Sequence, residues 1–208
     1  KWAKSRGDTN FYGIGFKSIN VGKTQISGIE LSIAGQGKIS PNFSINLLAG
    51  YTYIKPIPLN PETEYAELEE PIYNFFGKDS ITSLNYNNSS SDPSVLKYRY
   101  QHLAKMDVEF IYKKLAFGNS IRYNDFMKNI DAIFADEVLF PTLVPGINEA
   151  REKFKNGDII YDTRLSYQIN TVFKLGFVIN NVLNREYMSR PANMMPPRTF
   201  ALQCNIKI

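Results

Sequence analysis

Three runs near the end of the chain, DIIYDTRLSY (158–167), FKLGFVIN (173–180) and FALQCNIKI (200–208), decide the fold. Side chains alternate between the two faces of an extended strand, so Ile159, Tyr161, Thr163, Leu165 and Tyr167 share one face, against Ile160, Asp162, Arg164 and Ser166. In the second run Phe173, Leu175, Phe177 and Ile179 oppose Lys174, Gly176, Val178 and Asn180. In the third, Phe200, Leu202, Cys204, Ile206 and Ile208 oppose Ala201, Gln203, Asn205 and Lys207. One face is apolar from end to end and the other is mostly polar or small. A strand half-buried in a soluble sandwich has the same period, so alternation alone does not decide what covers the apolar face. The strand ends say more. Tyr167 and Phe173 flank the short turn while Tyr161 and Phe200 lie toward the other end, and rings at two heights around an aliphatic band are the pattern of a membrane barrel.

The pattern recurs upstream. Residues 1–23, with Gly7, Gly13, Gly15 and Gly22, read as loop. Thr24 to Gly35 reads as a strand, Gly35 to Asn42 as a turn, and Phe43 to Ile54 as a strand with Phe43, Ile45, Leu47, Ala49, Tyr51 and Tyr53 on one face. Lys55 to Val95 holds five prolines and an acidic patch at Glu62, Glu64, Glu67, Glu69 and Glu70, and reads as a long connection. Such a connection counts against a compact soluble domain and is expected of the outer loops of a barrel. Leu96 to Tyr112 alternates over its whole length, with Arg99, Gln101, Lys105, Asp107 and Glu109 on the polar side, and turns through Lys113 and Lys114 into a strand from Leu115 to Asn124. Phe126 to Gly157 is a second long connection, with a short helix around Asn148 to Phe154. About seven strands therefore alternate between short and long connections, the asymmetry of an outer-membrane barrel with short periplasmic turns and long extracellular loops.

Composition bounds the function. At 208 residues with no Pro/Gly/Ser-rich linker, the chain reads as one unit. A net charge of +4, with cations scattered among acids, does not imply nucleic acid. One cysteine excludes an internal disulfide framework and a cysteine-based zinc site, and one histidine leaves little room for a metal triad. No run approaches the roughly 18 apolar residues of a membrane helix, yet barrel strands need only about 9 to 11 alternating ones. No apolar segment of a signal peptide follows Lys1, so a mature or truncated start is expected.

The motifs then add a family. Gly28-Ile29-Glu30-Leu31, Ala49-Gly50-Tyr51-Thr52-Tyr53, and Val178-Ile179-Asn180-Asn181-Val182-Leu183-Asn184-Arg185-Glu186-Tyr187 followed by Pro196-Pro197-Arg198-Thr199-Phe200 resemble the C-terminal part of the barrel of TonB-dependent outer-membrane receptors. The resemblance implies that residues 1–208 are about seven strands of a barrel of roughly 22, one piece of a longer polypeptide whose plug domain is not in this chain. It implies a receptor in the outer membrane of a Gram-negative bacterium that captures a scarce nutrient (siderophore, haem, cobalamin or glycan) and imports it with energy from the TonB system. Implied partners are outer-membrane lipid, the plug and remaining strands, TonB through the missing N-terminal part, and a surface lipoprotein. One departure stands: such barrels commonly end in an aromatic residue, and this chain ends in Ile208. A passive porin and a secreted glycan-binding sandwich are the alternatives.

No HExxH, GxSxG, P-loop or CxxC motif is present, so neither an enzyme nor a cofactor is expected. His102 falls on the apolar face near a strand end, where an interfacial role is expected, and Cys204 reads as a small hydrophobe. Substrate contacts are expected from loop aromatics and from polar residues at the outer ends of polar rows: Tyr65, Tyr73, Phe75, Phe76, Arg99 and Arg122.

Overall fold

The computed structural model describes residues 22–73, 80–135, 146–190 and 193–207. The chain divides into two compact units, one of residues 1–26, 56–97 and 128–145, the other of residues 27–55, 98–127 and 146–208.

The second unit is built on a sheet. Seven strands, β1 (Thr24–Ser40), β2 (Phe43–Pro58), β5 (His102–Tyr112), β6 (Leu115–Asn124), β7 (Asp158–Gln168), β8 (Phe173–Asn180) and β11 (Thr199–Ile206), are ordered as neighbours in that sequence. Pairing from β2 onward is antiparallel and without slips, as Phe43↔Tyr112↔Leu115↔Tyr167↔Leu175↔Cys204 illustrates at the short-turn end. Register is this firm because a slip by one residue would exchange the two faces of every strand. The sheet is open, with β1 and β11 at its edges.

The apolar face is bare. Leu31, Phe117, Leu165, Phe177 and Phe200 are all exposed, and Leu202 is 79% exposed. Within the second unit no described helix or strand lies over them. Tyr112, Tyr167 and Phe173 mark the short-turn end of this face, and Tyr51, Tyr53 and His102 the other. The rows of Tyr112 and Ala104 lie eight positions apart on β5, about 27 Å of strand, which at a barrel tilt of about 40° rises about 21 Å, close to the height of an apolar band about 25 Å tall. Halfway along it Asn119 and Thr163 fall on the apolar face; Asn119 Oδ1 accepts from Tyr161 Oη at 2.6 Å and lies 3.3 Å from Thr163 Oγ1, so polar atoms there are satisfied within the sheet.

Several boundaries differ from the sequence reading. β1 runs through Gly35 and Gly37 to Ser40, and the turn is Pro41–Asn42 alone. β5 begins at His102, not Leu96: Tyr98 has a left-handed backbone, φ 59°, which no strand accommodates, so the alternation of Tyr98 and Tyr100 is accidental. The long connections are not structureless. The first contains a hairpin, β3 (Ala66–Tyr73) with β4 (Ser80–Leu84). The second contains α1 (Ala132–Ala135) and α2 (Ile147–Lys153), the latter where a short helix is expected. The connection from β8 to β11 holds a minimal pair, β9 (Met188–Arg190) and β10 (Asn193–Met194). Among the described residues no helix is long and apolar enough to cross a membrane.

The first unit has its own small core. Ala66, Tyr86, Val95 and Ile130 are buried, and so is Asn129, at 0% exposure. Asn129 Nδ2 donates to Val95 O at 2.7 Å and to Tyr86 Oη at 3.2 Å, while its Oδ1 accepts from Asp92 N at 3.1 Å. Tyr86 Oη also donates to Val95 O and accepts from Lys97 N, and burial pushes its phenol up. Lys97 lies over the Tyr86 ring, pairs with Asp131 at 2.6 Å and donates to Ser89 Oγ at 2.9 Å. The two long connections are thereby sewn together, Ser90 bridging to Asp131 through the backbone. Asn129→Leu removes the amide, leaving Asp92 N without its acceptor and Val95 O with the Tyr86 hydroxyl alone, a local loss of about 2 kcal/mol. Limited proteolysis within 85–97 is expected to run at least about tenfold faster in that variant.

Candidate functional site

On the polar face of the sheet a charge network crosses four strands. Arg164 on β7 makes a two-pronged pair with Asp107 on β5, both bonds 2.8 Å, and its Nε lies 3.5 Å from Glu109. Asn46 on β2 donates to Glu109 at 3.3 Å. The strand between, β6, presents Gly118 opposite both Arg164 and Glu109. A Cβ at Gly118 would strike the Arg164 side chain, with its Cγ only 2.8 Å away, so the missing side chain is the path by which the guanidinium reaches β5. Planar guanidinium and carboxylate match in this geometry. The pair is partly exposed, so its worth is about 1 kcal/mol. Gly118→Val is expected to cost about that in chemical unfolding, and Arg164→Gln should add little in that background, because the pair is already broken.

One row nearer the long connections, Arg122 pairs with Asp162 at 2.9 Å. The other oxygen of Asp162 accepts from Asn181 N at 2.7 Å, which ties the β6–β7 wall to the exit of β8. Asn181 is 3% exposed with φ 52°. Its side chain accepts from Arg185 N at 2.8 Å and donates to Arg185 O at 2.9 Å and Pro196 O at 3.3 Å. Asn184, also left-handed, accepts from Arg198 N at 2.9 Å. Asparagine tolerates this conformation better than other residues with a Cβ. Arg185 then reaches Asp158 at 2.9 Å and lies over the Phe154 ring. The Asn-rich exit singled out in the sequence is thus a knot that fixes the strand exit, with Pro196 and Arg198 held by it.

The six expected contact residues fall in different places. Tyr65 is half-buried in the first unit, its backbone N–H bonded to Leu84 O, and burial pushes its phenol up. Tyr73 pairs with Ser80 across the β3–β4 hairpin. Phe75 and Phe76 lie outside the described residues. Arg99 is exposed just before β5, and Arg122 is engaged by Asp162. Neither unit therefore holds more than two of the described candidates. The acidic patch is solvated where described, Glu62, Glu64 and Glu67 being exposed, with Asn87 bonded to Glu62. His102 receives a 2.8 Å contact from Tyr51 Oη on the apolar face and lies against Tyr53, and Cys204 is exposed on the same face. Among the described residues no cluster of His, Cys, Asp and Glu could hold a metal. The residues that sequence reasoning missed are Asp107, Arg164, Asp162 and the Gly118 gap; a glycine in a strand between charged rows was the signal available.

The model of the TonB dependent receptor-like β-barrel family matches residues 4–182. The chain belongs to this family. Its members are receptors of the Gram-negative outer membrane with a transport role, and the seven-stranded sheet is an unclosed portion of the TonB-dependent receptor barrel. Among solved structures, the chain is similar to the ferric-catecholate import receptor Fiu of E. coli K12 in its closed form, with 21% identity, a TM-score of 0.54, and coverage of 89% of this chain and 21% of that one. It is similar also to the siderophore receptor PiuA from Acinetobacter baumannii, with 19% identity, a TM-score of 0.52, and coverage of 90% and 22%. The chain spans about a fifth of the length of these receptors. No curated protein sequence gives a significant match.

Proposed function

We propose that residues 1–208 form the C-terminal barrel wall of an active importer in the outer membrane of a Gram-negative bacterium, with the apolar face in lipid, the short turns in the periplasm and the long connections outside. The observation that carries this reading is the family match over residues 4–182 joined to a bare apolar face flanked by aromatic rows. The polar face, with its Arg164–Asp107–Glu109 and Arg122–Asp162 pairs, is the surface against which a plug domain packs, and TonB acts through that plug. Siderophore-type iron complexes are the first cargo to test, since the similar solved structures are receptors of that description; haem, cobalamin and glycans follow. Tyr65, Tyr73, Phe75, Phe76 and Arg99 contact the cargo from the outer side, Arg122 serves at the outer end of the polar row, and a surface lipoprotein is a further partner.

The test is uptake of a radiolabelled ferric catecholate by cells carrying the intact receptor. Deleting 55–95 is expected to abolish binding, and removing TonB to abolish uptake while binding remains. Uptake that persists without TonB would instead make the barrel a passive pore.

A further inference from the structure

We propose that the short-turn end of the polar face binds an acidic polypeptide segment through a basic arc of Lys38, Lys114, Lys174 and Lys207. The inference goes beyond import and rests on the charges and register of the sheet. Below the Asn46–Glu109–Gly118–Arg164 row, segments 38–45, 110–117, 165–176 and 202–207 contain no Asp or Glu. They do contain five lysines. Four have the parity of the polar face: Lys38 with Glu30 and Ser32, Lys114 just before the outward Leu115, Lys174 between Phe173 and Leu175, and Lys207 after Ile206.

Three of them are placed by hydrogen bonds and register. Gln168 N donates to Lys114 O at 2.8 Å, Gln168 pairs with Lys174, and Lys174 pairs with Asn205. Lys114 and Lys174 thus stand level on strands two apart, roughly 10 Å, and Lys207 N bonds to Val172 O one step nearer the turn. None has a carboxylate partner among the described residues; the Lys114 ammonium reaches only the Ile169 carbonyl, at 3.1 Å. Four like charges that meet no carboxylate among the described residues raise the local potential and attract anions over about a Debye length, about 8 Å in physiological salt.

The face on which each lysine lies chooses between anions. Lys113, in the two-residue turn with a left-handed backbone of φ 52°, has its ammonium 5.4 Å from the centroid of the Tyr112 ring on the apolar face, where a phospholipid headgroup would sit. The other four share the parity of the polar face, toward the interior of the barrel. A chain of carboxylates entering from the turn side matches that arc; a headgroup outside the wall does not.

The probe is fluorescein-labelled decaglutamate, titrated onto the intact receptor in neutral phosphatidylcholine nanodiscs at about 0.15 M salt. Combined Lys38→Gln, Lys114→Gln, Lys174→Gln and Lys207→Gln is expected to weaken binding at least about tenfold, while Lys153→Gln with Lys155→Gln leaves it unchanged. Acetylation of the unmutated receptor supplies a readout independent of folding of the variant: the peptide should shield those four lysines and spare Lys153 and Lys155. No binding by the unmutated receptor, equal binding by the fourfold variant, or shielding of the same lysines by phosphatidylglycerol but not by the peptide would each overturn the proposal, the last in favour of a headgroup site.

Discussion

Arginine in place of Val108 is expected to destabilise the membrane-inserted barrel by about 2–4 kcal/mol, read from chemical unfolding out of bilayers. Val108 is in the row Leu47–Val108–Asn119–Thr163–Ile179, midway between the aromatic ends of the apolar face. A guanidinium there would meet hydrocarbon, and the polar atom directly across from it, Asn119 Oδ1, is already engaged by Tyr161 and Thr163. Depth sets the size of the loss, so Tyr112→Arg, at the short-turn row, should cost about 0–1 kcal/mol. Gln203→Arg, on the polar face, should change stability by less than about 0.5 kcal/mol. If the three substitutions were equally mild, the face bearing Val108 would not meet lipid.

The second large effect is expected at Asn181. Alanine there loses the bonds to Arg185 N, Arg185 O and Pro196 O in a site that excludes water, at about 1 kcal/mol each. It also keeps a left-handed φ that asparagine tolerates and alanine does not, adding about 1 kcal/mol. The sum is about 4 kcal/mol, localised at the exit of β8 and visible as faster amide exchange over 181–198. Asn181→Gly separates the two contributions: it relieves the backbone but restores no bond, so its loss should be about 3 kcal/mol. Equal losses in both variants would show that the conformation carries no cost.

The seven strands of the sheet were legible because a period of two, sustained along a whole strand, is a pattern that an extended backbone with two unlike faces produces and a helix does not. Boundaries were legible only where breakers were decisive. Gly35 and Gly37 read as a turn, yet glycine is permissive without being obligatory in turns, and Pro41–Asn42 made the reversal. Tyr98 and Tyr100 continued the alternation of β5 by chance; φ at Tyr98 ends the strand, and Tyr100 Oη instead donates to Ser189 O at 3.0 Å. The β3–β4 hairpin was hidden beneath a run of glutamates and prolines with little strand propensity. Of the expected cargo contacts, Arg122 was found with a carboxylate already beside it. The Arg164 network was invisible because it depends on a gap at Gly118 and on register across four strands, which no local pattern encodes. The core of Tyr86, Asn129 and Lys97 joins segments some forty residues apart, with the same result.

That sewn core has a consequence for how the two long connections can change over generations. A stretch that drifts keeps its shape only while its stitched neighbour still offers the matching amide, phenol and ammonium. Variation in 85–97 and in 128–131 should therefore be inherited in tandem, and grafting one stretch alone onto a sister receptor should deliver a frayed surface where exchanging both delivers a working one.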